Sequence, residues 1–281
     1  MQELLGRSSL SKRIRAKIQR ELQTFIESIR QTFKQRFPWK LAKSVPLRYA
    51  VFQDPIDCIL YAFTLKNKPY FIQVGANDGI NGDPLYEFIL KWNWSGIKIE
   101  PVSYIFNKLK TNFQNFPDII LENSAIAKEN SIQTFYYLKQ DEDAPEWYSQ
   151  LGSFSLPTLL KHSQWIPDLQ ERLVTSNVSC LTIEALCHKH NIQSVDVIHI
   201  DTEGYDFEVI KLIDFEKLAP TIILYEHKHL SEEDRTLCNQ HLQNLGYQLF
   251  SNQRDTLAVL EAEIMSDLQL RQAWNLIVGK R

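Results

Sequence analysis

From residue 70 onward, short apolar runs alternate with helix-period segments, and this alternation restricts the fold more than any other feature of the chain. Strand signals fall at 70–74, 96–99, 118–121, 195–200, 221–225, 247–250 and 256–260. Helical signals fall between them at 84–92, 104–113 and 206–213, and in a segment opened by the capping pattern Ser231-x-x-Asp234. Strand and helix in such regular succession predict a mostly parallel sheet with helices on both faces, an α/β architecture. A short helix beginning at Pro55 is expected just before the first strand.

The 281 residues exceed one average domain yet fall short of two, so one large core with an appendage is expected. A hydrophobic content of 44% with 23% charged residues excludes disordered and collagen-like chains. The appendage is residues 1–45. It holds eleven Lys/Arg against three acids, whereas the remainder has twenty against thirty-one. Leu10, Ile14, Ile18, Leu22, Phe25, Ile29 and Phe33 recur at helical spacing among those cations, which predicts an amphipathic helix stopped before Pro38. Packing on the body, a homodimer contact, and docking to a membrane surface or partner all fit such a helix. The acidic body argues against nucleic acid as a partner of the whole protein. With no apolar run near ~18 residues, no transmembrane segment is expected; with no signal-peptide pattern, a cytoplasmic location is expected. Cys58, Cys180, Cys187 and Cys238 lack metal or redox spacing and are expected to be reduced.

The body, 46–281, carries one long interruption at 130–180, with a strand signal at 133–138, a polar run from Asp141 to Glu146, and the aromatics Trp147, Tyr148, Phe154 and Trp165. It is expected to shape an acceptor pocket, with loop core as the equal alternative for its aromatics.

In an open parallel sheet, ligands bind beyond the carboxyl ends of the strands. The first strand ends in Gly75-Ala76-Asn77-Asp78-Gly79, where the glycines would permit a tight turn and close approach to a ligand. The second ends in Glu100, positioned to accept both hydroxyls of a ribose. Together they favour a nucleoside cofactor, and the missing G-x-G-x-x-G pattern sets a dinucleotide dehydrogenase behind. Ser124 follows the third strand, Asp201 and Glu203 the fourth, and Glu226 and His227 the fifth. Asp201, Glu203 and His227 are the candidate proton acceptors of a titratable cluster. Asp201, Glu203 and Glu226 also offer hard oxygen ligands for a divalent metal, but no ligand spacing is diagnostic and no metal site is assigned.

In order and spacing, the runs 71–79, 99–101, 123–126, 181–186 and 200–210 resemble the FkbM family of S-adenosylmethionine-dependent methyltransferases, over about 70–260. The resemblance implies a class I methyltransferase fold, a Rossmann-like sheet of seven strands in the order 3-2-1-4-5-7-6 with the last antiparallel. It also implies O-methylation of a sugar, polyketide or related natural product, with a small molecule or glycan as acceptor. By that analogy Gly75, Ala76, Asn77, Asp78 and Gly79 lie along the methionine part of S-adenosylmethionine. Glu100 takes the ribose, Ser124 sits by the adenine, and Asp201 lies near the methionine amino group. Gln73 stands where many class I enzymes have an acid, and His199 where this family often has Lys. A non-catalytic cofactor-binding or partner-docking subunit is the alternative.

Overall fold

The computed structural model describes residues 54–141 and 143–279; the basic amphipathic segment expected at 1–45 lies outside them. Seven strands form the main sheet: β1 (Tyr70–Val74), β2 (Ser95–Ile99), β3 (Ile119–Glu122), β8 (Val197–Ile200), β9 (Ile222–Glu226), β10 (Tyr247–Ser251) and β11 (Asp255–Leu260). Across the sheet they run β3-β2-β1-β8-β9-β11-β10. Counted in chain order within this sheet, that is the expected 3-2-1-4-5-7-6. β11 is antiparallel to both of its neighbours, and the other pairs are parallel.

The central strands read as unbroken apolar runs because helices cover both faces of the sheet. Phe71, Ile72, Val197, Ile198, Ile222 and Ile223 are fully removed from solvent. Ser231 caps its helix as the sequence predicts, its hydroxyl accepting the Asp234 N–H at 3.0 Å. The helix expected from Pro55 spans Pro55–Thr64 and packs against a helix the periodicity does not announce, Leu268–Val278. Asp267 starts that second helix by accepting the N–H groups of Gln269 and Leu270.

The interruption at 130–180 is more ordered than its polar run suggests. It builds a second sheet, β4-β7-β5-β6, from β4 (Ala125–Ile126), β5 (Ser131–Leu138), β6 (Gly152–Ser153) and β7 (Leu173–Leu181). β5 and β7 pair antiparallel from Ser131–Cys180 to Leu138–Leu173. β7 escapes sequence reading because its exposed face carries Thr175, Asn177 and Ser179, and only Val178 and Cys180 are buried. Among the described residues no helix is long and apolar enough to cross a membrane, and all four cysteines are buried.

Candidate active site

The turn after β1 is built by backbone geometry. Gly75, Asn77 and Gly79 all have positive φ, at 80°, 47° and 75°, a region that glycine enters freely and asparagine tolerates. A Cβ at Gly75 would stand 1.8 Å from the Asp201 carbonyl oxygen, and one at Gly79 would meet Phe113 and Leu109 at 2.4 and 2.6 Å. The space each glycine frees is therefore filled by the protein itself. The missing side chain of Gly75 lets the turn close against the backbone leaving β8, and that of Gly79 lets it close against Leu109 and Phe113 at the end of the helix Ser103–Asn112. Asp78 stays local, with its carboxylate accepting the N–H groups of Ile80 and Asn81. Asn77 reaches out, donating from its side chain to the Ser149 carbonyl at 3.0 Å and tying the turn to the second-sheet insertion.

Glu100, 5% exposed, closes the turn from β2. One carboxylate oxygen accepts the Asn77 N–H at 3.0 Å and the other the Val102 N–H at 2.9 Å. Burial pushes its pKa up to about 7, partly countered by those two N–H groups. Each oxygen keeps a further lone pair for a ligand hydroxyl. Beyond β3, Ser124 is fully buried with a hydroxyl that has no hydrogen-bond partner, and the Thr202 hydroxyl after β8 is in the same state. Unpaired buried hydroxyls are uncommon, and two of them along one sheet edge with an anchored carboxylate suit a ligand with a polar rim. The residues present thus fit a nucleoside cofactor.

Beside this edge lies a titratable cluster. Asp201 leaves β8, and Glu203 sits two residues on in a left-handed turn, φ 52°. Asp206, fully buried, holds that turn by accepting the Gly204 N–H at 3.1 Å and the Thr202 N–H at 3.3 Å. Glu226 ends β9, 2% exposed, with one oxygen bonded to Arg254 at 3.0 Å. Burial and the neighbouring Glu226 and Glu203 carboxylates raise the pKa of Asp201 well above the ordinary carboxylate range. Burial and Glu226 carry Glu203 to about 8.

The structure brings Asp201, Glu203 and Glu226 together, but the imidazole facing them is that of His229, not His227. His229 Nε2 lies 3.2 Å from Glu203 and 3.5 Å from Glu226. His227 is buried at the end of β9, its Nδ1 bonded to the Thr256 hydroxyl at 2.8 Å. Consecutive side chains at a strand end point to opposite faces, so His227 takes the face opposite to Glu226. His229 would share that opposite face if the strand continued, and it meets Glu226 because the chain turns after β9. His162, from the insertion, stacks beside His229 with ring centroids 5.5 Å apart. No local sequence signal marks it, because it arrives from a different sheet.

Comparison with known proteins settles the family. Residues 73–251 match the Methyltransferase FkbM domain. The chain belongs to the FkbM methyltransferase family. Solved structures similar to it include precorrin-6y C5,15-methyltransferase from Geobacter metallireducens GS-15, with 12% identity over 71% of this chain and 83% of that one at TM-score 0.37. The METTL16 methyltransferase domain is 14% identical over 79% and 70%, at TM-score 0.41. The Methanococcus jannaschii fibrillarin pre-rRNA processing protein is 12% identical over 74% and 76%, at TM-score 0.36. No curated protein matches. Family and fold together imply use of S-adenosylmethionine.

Within this FkbM methyltransferase, the two departures noted at Gln73 and His199 belong to one buried row. Gln73 on β1 is in register with Lys98 on β2 and His199 on β8. Lys98, fully buried, bonds both the Gln73 amide oxygen and the Asp83 carboxylate. Burial lowers its pKa, and Asp83 opposes that loss. Burial likewise lowers the pKa of His199 to about 4, so its ring is neutral at physiological pH. A buried Lys–Asp pair thus stands beside Gln73, the position at which many class I enzymes have an acid.

The insertion's aromatics differ in burial. Phe154 packs edge-on against Phe135 at 5.0 Å and against Tyr205 at 5.4 Å, joining the insertion to the turn that carries Glu203. Trp165 is 61% exposed and Trp147 38%, leaving indole surface beside the insertion's small apolar core.

Proposed function

We propose that this protein is an S-adenosylmethionine-dependent O-methyltransferase acting on a hydroxyl of a sugar, polyketide or related natural product. The observation that carries the reading is the juxtaposition, along one sheet edge, of a ribose-suited carboxylate at Glu100 and a proton-accepting cluster at Asp201, Glu203, Glu226 and His229. Glu100 would hold the ribose hydroxyls, Ser124 would face the adenine, and the 75–79 turn with Asp201 would line the methionine part. When bound, the sulfonium supplies an electrophilic methyl group.

What the chain itself must do is align the acceptor oxygen in line with that methyl, keep water out and take the hydroxyl proton. An aliphatic hydroxyl is a weak nucleophile until its proton has a destination. A carboxylate takes that proton in its ionised form, and burial, which raises the pKa of both Asp201 and Glu203, makes each a stronger base once ionised than a carboxylate in water. The insertion, tied to the cofactor turn by the Asn77–Ser149 bond and to Glu203's turn by the Phe154–Tyr205 contact, would wall the acceptor side.

The test has two parts. Mass spectrometry of the denatured purified protein should find S-adenosyl compounds that co-purify with it. Incubation with methyl-labelled cofactor and a panel of sugars and polyketide alcohols should then label a hydroxyl oxygen. Cofactor binding with no transfer to any alcohol, and transfer to nitrogen or carbon acceptors instead, would overturn the O-methyl reading.

A further inference from the structure

We propose that His162, Glu203 and His229 form a binding site for one divalent first-row transition-metal ion, with Asp201 and Glu226 on its inner side. The ion's role rests on the O-methyltransferase reading; its presence does not.

The three residues come from separate parts of the chain. His162 lies in the short helix Lys161–Gln164 of the insertion, Glu203 in the turn after β8, and His229 in the segment after β9. Nevertheless one ligand atom from each lies within 4.8 Å of the others, and Asp201, Glu203 and Glu226 make a second such trio that shares Glu203. Two imidazoles and a carboxylate on one point are a donor set chemically suited to Mn, Fe, Co or Zn, whereas Mg²⁺ and Ca²⁺ prefer oxygen alone.

An independent observation points to a ligand at this place. Glu226 is 2% exposed, and its second carboxylate oxygen has no hydrogen-bond partner although it faces His229 Nε2 at 3.5 Å. The Glu203 oxygen 3.2 Å from the same nitrogen also lacks hydrogen-bond geometry. Buried carboxylate oxygens left unpaired are costly, and a cation between carboxylate and imidazole would satisfy both. Arg254 offsets Glu226, so Asp201 and Glu203 are the two carboxyls that would ionise to balance a dication. His162 is 7% exposed, its ring stacked beside His229 at a 43° tilt, which brings both imidazoles to one side of Glu203.

In the methyl-transfer reading, the acceptor hydroxyl would bind through this ion, which makes its proton easier to lose. That proton passes to Asp201. The oxygen lone pair forms the C–O bond as the S–CH₃ bond breaks, and its electron pair leaves on sulfur as the neutral thioether.

The experiment uses the full chain stripped with a chelator and titrated with Co²⁺, read by visible d–d absorption and by thermal melting. A single ion per chain is expected, with a spectrum typical of mixed nitrogen and oxygen donors and a raised melting temperature. His162→Gln and Glu203→Gln, each checked for native circular dichroism, should weaken Co²⁺ binding by at least about tenfold. No Co²⁺ spectrum in the wild-type chain, or binding as tight as wild type in both variants, overturns the site without recourse to activity. Calorimetry with S-adenosylmethionine on the same samples separates the two readings. Cofactor binding without Co²⁺ uptake refutes the ion alone, and Co²⁺ uptake without cofactor binding supports the ion while refuting the methyltransferase reading.

Discussion

Glu100→Gln is the substitution whose consequences are most sharply set by the geometry. The carboxylate is almost fully buried, accepts two backbone N–H bonds, and has a folded-state pKa of about 7 against an ordinary 4.5. A carboxyl whose pKa is raised on folding stabilises the fold while it is protonated, and that stability is lost as pH rises from 4.5 through 7. The difference corresponds to about 3 kcal/mol for this one group. The glutamine variant does not titrate, so it should lack that portion of the decline. Its amide oxygen replaces only one of the two acceptors, which leaves either the Asn77 or the Val102 N–H unpaired and lowers stability at acid pH by about 1–3 kcal/mol. The stability curves of wild type and variant should therefore converge as pH rises from 5 to 8. Cofactor affinity should behave in the opposite sense. At pH 8 the wild-type carboxylate is ionised and offers charge-assisted acceptors to the ribose, so the variant should bind S-adenosylmethionine about 10- to 150-fold more weakly. At pH 6 most wild-type Glu100 is protonated and the gap should narrow by about tenfold. Urea melts and titration calorimetry at both pH values measure the two effects. Unchanged affinity at pH 8, or a ratio that does not depend on pH, would refute the assignment of Glu100 to the ribose.

Other expectations follow from the same contacts. Gly75→Ala meets both a positive φ and the Asp201 carbonyl, and should lower stability by at least about 2 kcal/mol, seen as a melting temperature lower by ~4 °C or more. Lys98→Met leaves the Asp83 carboxylate, 3% exposed, without its cation and should cost about 3–5 kcal/mol in urea melts. His227→Ala removes one of the two hydrogen-bond partners of the Thr256 hydroxyl, Ser251 remaining, and should cost about 0.5–1.5 kcal/mol of stability while leaving turnover within a few-fold. Glu203→Gln should lower turnover by about 10²–10⁴-fold with cofactor affinity changed only a few-fold, as steady-state and binding measurements would show. A chain lacking residues 1–45 should keep its melting transition and its cofactor binding, since the buried helix Pro55–Thr64 already belongs to the body's core.

The alternation of apolar strands and helix-period segments determined a mostly parallel sheet covered on both faces by itself, because parallel strands buried on both faces need continuous Val/Ile/Leu runs and right-handed helical crossovers, whereas the strand order was expected only from the resemblance to the FkbM family. Strand ends were legible for the same reason: polar residues directly after such runs, at Gly75–Gly79, Glu100, Ser124 and Asp201–Glu203, can only project beyond the carboxyl edge. What the sequence could not decide was which side chains meet there. Whether His227 or His229 faces Glu203 depends on how the chain turns after β9, and that turn is held by contacts distant in sequence, including the His227 and Lys228 N–H bonds to the Arg254 carbonyl. The role of Gly75 was settled by the Asp201 backbone, 126 positions away in the chain and adjacent only because β1 and β8 pair. His162 reaches the site from an insertion whose strand β7 carries too few apolar residues for a periodic signal, although its partner β5 was legible at 133–138. Local pattern encodes which face of an element is buried; convergence between elements is a property of the packing that follows.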